Sequence, residues 1–75
     1  MAQITTQAAI AGNVRALKAR RRVGDAELAQ VTGLSRSALN DRLNARAKFQ
    51  VEELQALAEY FEVTLEQLLS DEAVA

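Results

Sequence analysis

The sequence predicts an all-α domain of five short helices, on three observations. Proline is absent, glycine occurs three times, and Ala, Leu, Glu, Arg and Gln dominate, an inventory suited to helices by intrinsic propensity. Apolar residues recur at intervals of three and four in successive segments, the period of one helical face. Gly24, Gly33, Ser35 and Thr64 stand between those segments, where helices stop or are capped. Short connections between such elements make a compact bundle rather than a solenoid or a coiled coil.

The chain has 75 residues, enough for one domain able to bury only about 60% of its extended surface. It contains no Cys and no His, so neither disulfides nor an ordinary structural metal supplements that thin core. Close helix packing must supply the stability, with a partner subunit as a further source. No apolar run reaches the roughly 18 residues of a membrane span, and no basic stretch followed by an apolar block opens the chain. A cytoplasmic location is the expectation, and the lack of cysteine fits a reducing compartment. Catalysis is not expected, because His, Cys, a glycine-rich phosphate loop and a convergent carboxylate pair are all missing. No cofactor, metal, small-molecule ligand or membrane partner is expected either.

Residues 4–22 read as the first helix. Ile10, Val14 and Leu17 form its apolar stripe, Thr5 or Thr6 its cap, and Arg15, Lys18, Arg20, Arg21 and Arg22 crowd its later surface. Gly12-Asn13 weakens the middle, so a start at Asn13 behind a looser arm is the alternative. The cations suit the negative pole of the helix dipole, and attraction of phosphate is the competing account of them. Residues 25–32 form the second helix, with Asp25 as its cap or in its first turn, Leu28 and Val31 inward, and Ala29 small enough for a close crossing. Gly33 follows, where a left-handed residue closes a helix with least strain, and Leu34 returns the chain to the core.

Ser35 caps the third helix, 36–44, whose buried face is Leu39 and Leu43 beside Ala38. Arg36, Ser37, Asn40, Asp41 and Asn44 remain exposed. A loop over 45–50 carries Arg46 and Lys48 and ends on a core Phe49. The fourth helix, 51–60, follows a Gln50 cap with Glu53 at the third helical position; Val51, Leu54, Leu57, Ala58 and Phe61 face the core and Glu52, Glu53 and Glu59 face water. Thr64-Leu65-Glu66-Gln67 reads as a capping box opening a fifth helix, 65–70, with Val63, Leu65, Leu68 and Leu69 closing the core. Asp71 to Ala75 are expected to fray.

Charge divides this chain. All nine Lys and Arg lie in 1–48 beside three acids, whereas 49–75 holds seven acids and no base, giving +6 and −7 behind a formal net charge of −1. A basic half facing a polyanion and an acidic half turned away would orient approach. Acids favoured near helix N-termini explain Glu52, Glu53 and Glu66 without any partner.

Glu27-Leu28-Ala29, Gly33-Leu34-Ser35 and Ser37-Ala38-Leu39 have the spacing of two helices joined by a tight turn, a helix-turn-helix. In that motif one helix braces on the phosphate backbone and the next enters the major groove, whose width accepts it. Leu28, Ala29, Gly33, Leu34, Leu39 and Leu43 are the motif's packing residues. Arg36 and Asn40 are the first candidates for base contacts, since they suit guanine and adenine edges, with Ser37 and Asn44 next. Ser35, Arg42, Arg46, Lys48 and Arg22 are the candidates for phosphate. Asp41 opposes this reading unless it accepts from a cytosine amine or pairs with Arg42 or a neighbouring base-contacting arginine.

From Glu27 through Leu39, and again over Glu53-Leu54 and Leu57 to Val63, the chain resembles the lambda-repressor-like, Cro-type helix-turn-helix family, over about residues 13–70. Leu34-Ser35-Arg36-Ser37-Ala38-Leu39-Asn40, Arg42-Leu43-Asn44 and Phe49 are similar to the small immunity repressors of actinobacterial phages. The resemblance implies a sequence-specific, double-stranded DNA-binding transcriptional repressor, with Ser35–Asn44 as recognition helix and palindromic or tandem operators as targets. It also implies a dimer contact over Phe61 through Leu69, here Phe61, Val63, Leu65 and Leu69. Asp25 departs from the family's common Gln, and Ala45 from the Gly that often closes the recognition helix. A protein-interaction or antitoxin-like subunit on the same scaffold is the alternative, fed by Asp25 and Asp41. A DNA-binding fragment of a longer repressor is the third reading.

Overall fold

The computed structural model describes residues 6–70 as five helices: α1 (Gln7–Arg21), α2 (Asp25–Thr32), α3 (Arg36–Leu43), α4 (Val51–Phe61) and α5 (Leu65–Leu69). Thr5 and Asp71–Ala75 lie outside the described residues. Expected and observed helix limits otherwise differ by no more than a residue, apart from the start of α1. Thr6 caps α1 by accepting the Ala9 N–H at 3.1 Å, and the helix runs unbroken through Gly12-Asn13. The alternative start at Asn13 is therefore corrected. A methyl on Gly12 would meet only the Arg15 guanidinium, at 3.9 Å, so Gly12 weakens α1 without any close packing requiring it.

α2 packs against α3 and α4, and α1 against α3 and α5. Between them lies one core in which Val14, Leu28, Leu39, Leu57, Phe61 and Leu68 are completely buried. The first helix binds the others together through polar side chains that satisfy carbonyls at their ends. Asn13 is buried and its Nδ2 donates to the carbonyls of Leu68 (2.8 Å) and Ser70 (2.6 Å) at the end of α5. Arg15 donates to the Leu43 carbonyl that ends α3, and Arg21 to the Phe61 carbonyl that ends α4, at 3.0 Å. Lys18 pairs with Asp25 in the first turn of α2 at 3.0 Å. A helix's last carbonyls lack partners within it and carry partial negative charge, so these cations and amides act where the need is greatest.

Three helices close in the same way. Arg22 (φ 56°), Gly33 (φ 75°) and Glu62 (φ 57°) are left-handed, and the following Val23, Leu34 and Val63 N–H groups donate to Lys18, Ala29 and Ala58 carbonyls. Each of those apolar residues then packs on the core, the usual companion of this closure. Only Gly33 occupies its position without a Cβ penalty.

Ala45, just past α3, is also left-handed at φ 59°. Ala45→Gly is expected to stabilise the domain by about 0.5–1 kcal/mol, the left-handed penalty less glycine's greater unfolded freedom. Thermal unfolding should show a midpoint higher by about 2–8 °C; an unchanged or lower midpoint contradicts the strain.

The first turn of α4 corrects two expectations. Val51 is 60% exposed, and Glu53, expected in water, is buried. Glu53 takes the inward place because its carboxylate accepts the Gln50 N–H at 2.9 Å and the Arg42 Nε–H at 2.8 Å. The capping box at α5 is as expected: Thr64 and Gln67 each accept the other's backbone N–H, at 3.1 and 2.8 Å. Phe49 is buried, and its N–H donates to Gln7 Oε1 at 2.8 Å.

Tyr60 joins α4 to α2 through its hydroxyl, which donates to the Glu27 carboxylate. That hydrogen bond, with burial and the carboxylate's charge adding to it, holds the phenol above its ordinary value of 10.0. A raised folded-state value means that the contribution is complete below pH 10 and fades as pH rises through the shifted value. Because the chain has one Tyr and no Trp, an ultraviolet titration reads this group alone. Glu27→Gln is expected to bring its midpoint down; an identical curve would disprove the coupling.

Candidate nucleic-acid interface

Leu39 and Leu43 anchor α3 inward, Leu39 with no exposure at all. Its other side presents Arg36, Ser37, Asn40 and Asn44, all exposed. Ser37, Asn40 and Asn44 recur at three- and four-residue steps, so the helical period that buries the leucines turns them outward, and Arg36 is exposed beside them at the first position of α3. α2 packs on α3, with Ala29 only 7% exposed, and Gly33 (φ 75°) turns the chain between them without strain. Leu28 and Leu34 complete the seam, Leu28 fully buried and Leu34 packed on the core from a half-buried position.

The polar set is not uniform. Arg36, Ser37 and Lys48 are exposed and have no side-chain partner among the described residues. Asn44 turns back one turn, its Nδ2 donating to the Asn40 carbonyl at 2.8 Å and to Asn40 Oδ1 at 3.2 Å. Ser35 caps α3 by accepting the Ala38 N–H at 3.1 Å, which leaves its hydroxyl proton able to donate. Asp41 pairs with Arg46 at 3.2 Å, both side chains about half exposed. A pair so placed is screened and weak, which lets Arg46 exchange its carboxylate for another anion at small cost.

Arg42 has a different use. Its side chain is only 17% exposed and is paired with the Glu53 carboxylate, so it ties α3 to α4 and leaves the group of phosphate candidates. Arg22 remains exposed at the left-handed end of α1. The α1 cations that looked like a phosphate-attracting cluster are partly structural, since Arg15, Lys18 and Arg21 all hold other helices. Asp25 lies in the first turn of α2, behind Gly24 as cap.

Phe61 is corrected as a dimer contact. It has no exposed surface and meets the Tyr60 ring edge-on, centroids 5.2 Å apart. Val63, Leu65 and Leu69 are half-buried on the core's rim.

Sequence reasoning missed the roles of Asn13, Arg15, Arg21, Glu53 and Tyr60. Asn13 had a legible signal: it occupies the place three after Ile10 and four before Leu17, an amide set into an apolar stripe. Glu53's place in the α4 cap was legible, but its Arg42 partner and the partners of Arg15, Arg21 and Tyr60 lie 11 to 40 positions away on different helices, beyond any local pattern.

Among the described residues no group of three or more His, Cys, Asp or Glu is disposed to hold a metal ion. No described helix is long and apolar enough to cross a membrane. No curated protein and no solved structure matches the chain. A family model described as helix-turn-helix matches residues 18–68, which takes in the last turn of α1 and every element from α2 to the buried Leu68 of α5. The chain therefore belongs to the helix-turn-helix family, a non-catalytic DNA-binding module whose motif is α2, the Gly33 turn and α3.

Proposed function

We propose that this domain is a sequence-specific transcriptional regulator of the phage or prophage repressor kind, binding double-stranded operator DNA with α3 in the major groove. The observation that carries this reading is the division of α3: leucines buried on one side, and Arg36, Ser37, Asn40 and Asn44 exposed on the other. Arg36 and Asn40 offer the forked donors and the amide that match guanine and adenine edges. Ser35, Arg46, Lys48 and Arg22, all exposed, are the residues proposed to take phosphates, which set position and orientation rather than sequence. The repressor sign and the phage setting rest on the resemblance of Leu34–Asn44 and Phe49.

Two carboxylates that favoured a protein-interaction role lose that weight. Asp25 is paired with Lys18 and Asp41 with Arg46, so neither stands uncompensated in the free protein, and Asp41 loses its partner only where Arg46 takes a phosphate. Pairing of two copies through Val63, Leu65 and Leu69 is part of the proposal, because a twofold protein reads a palindromic site.

Selection from random duplexes followed by footprinting, at two salt concentrations, tests the whole reading. The expected outcome is one preferred sequence and an affinity whose logarithm falls with log salt by about 0.9 for each phosphate contacted. A dimer protects two half-sites about 34–36 Å apart, whereas a monomer protects one short site. Binding with no sequence preference and no salt dependence rejects the regulator assignment.

A further inference from the structure

We infer that Asn44 does not read a base but is a positioning residue that fixes the Asn40 carboxamide for base recognition, an inference that rests on the α3 reading proposed above. Asn44 ends α3 in a non-helical conformation (φ −102°, ψ 11°), and that departure turns its side chain back along the helix. Its Nδ2 donates at once to the Asn40 carbonyl, 2.8 Å, and to Asn40 Oδ1, 3.2 Å. One amide hydrogen-bonding both the backbone and the side chain of the residue a turn earlier defines where that second side chain lies.

The consequence for Asn40 is chemical. An asparagine amide is a donor at one end and an acceptor at the other, and a rotation about its last bond exchanges them. An exposed asparagine samples both arrangements and offers a base either end. With Asn44 donating to it, Asn40 Oδ1 is held toward the C-terminal end of α3 and Nδ2 is the free end; Nδ2 has no acceptor among the described residues. The Asn40 oxygen keeps a second lone pair, so an adenine edge, which needs one acceptor and one donor, still fits. The order imposed before binding removes a rotamer cost at the moment of binding. Donation to the Asn40 oxygen also polarises the amide and sharpens its N–H donors.

Asn44 has a competing, purely structural use, since its amide satisfies a carbonyl in the last turn of α3. The two uses differ in what they govern. A cap governs the stability of α3 and therefore the affinity for every duplex alike. A positioning residue governs the choice of base at one base pair, the one that Asn40 meets.

The experiment is base-preference profiling of the full chain against single-position variants of its selected duplex, for wild type, Asn40→Ala, Asn44→Ala, Asn44→Asp and the Asn40→Ala/Asn44→Ala double variant. Asn40→Ala is expected to erase discrimination at one base pair, a loss on the order of 5- to 150-fold. Asn44→Ala, and Asn44→Asp, which cannot donate, should weaken discrimination at that same base pair, and the double variant should be no worse there than Asn40→Ala. In the free protein, the Asn40 side-chain amide resonances should move and gain mobility in Asn44→Ala. A uniform affinity loss with an unchanged profile leaves Asn44 a cap and overturns the inference. Loss of discrimination at a different base pair makes Asn44 a base contact and overturns it too. If Asn40→Ala itself changes no preference, the α3 reading has failed, a result distinct from either of those.

Discussion

Glu53→Ala is expected to destabilise the domain by about 3 kcal/mol, the lower end of the range for breaking a buried ion pair. The carboxylate serves two donors, Arg42 Nε at 2.8 Å and the Gln50 N–H at 2.9 Å. Its removal leaves a guanidinium only 17% exposed without its anion and opens the cap of α4. Arg42 is long enough to bring its charge toward water, and that relief is the reason for choosing the lower end. A domain of this length is stable by about 4–11 kcal/mol in all, so the variant loses a large fraction of what it has. Urea unfolding should show a much lower midpoint at an unchanged slope. Replacing both partners, as Arg42→Met/Glu53→Met, should recover most of the loss, because apolar groups of similar volume need no counter-charge. The cap stays broken in that variant and should still cost about 1 kcal/mol. A fall below about 0.5 kcal/mol for Glu53→Ala, as at an ordinary surface site, would show the pair to be solvated and α3 to be held by the leucines alone.

Arg36→Ala is expected to have the largest effect on DNA recognition while leaving stability within about 0.5 kcal/mol, as befits an exposed side chain without partners. A forked guanidinium facing a guanine edge is worth about 1–3 kcal/mol of discrimination. Selected sites should therefore become degenerate at one base pair and keep their preference elsewhere. Lys48→Ala should behave oppositely, weakening all duplexes to a similar degree and lowering the salt slope by about 0.9. Arg46→Ala should fall short of Lys48→Ala, because Arg46 must give up its pair with Asp41 to reach a phosphate, which offsets part of what that contact gains. If Arg36→Ala lowers affinity for every sequence equally, the residue is on the backbone and α3 sits differently in the groove.

Much of this molecule was legible without coordinates because it is encoded locally. A helix follows from apolar residues at three- and four-residue steps, and its ends from residues whose own side chains or conformations close it: Ser35, Gly33, and Thr64 with Gln67. Most of the exposed face of α3 was legible for the same reason, since burying Leu39 and Leu43 turns Ser37, Asn40 and Asn44 outward, whereas Arg36, seven residues before Leu43, is exposed because it opens the helix. Val51 and Glu53 were misplaced because periodicity ranks residues by apolarity and assigns no weight to an acid with two donors waiting.

What the sequence by itself determined is the set of helices, their caps, the turn at Gly33 and the polar composition of α3, because each depends on residues within about one helical turn of one another. Only the tertiary structure decided how the charges are used. Asn13, Arg15 and Arg21 complete the ends of α5, α3 and α4, Lys18 and Arg46 neutralise Asp25 and Asp41, and Arg42 is committed to Glu53. An ionic or hydrogen-bonding partner is chosen by distance in space, and a one-dimensional pattern holds no record of which helix ends meet.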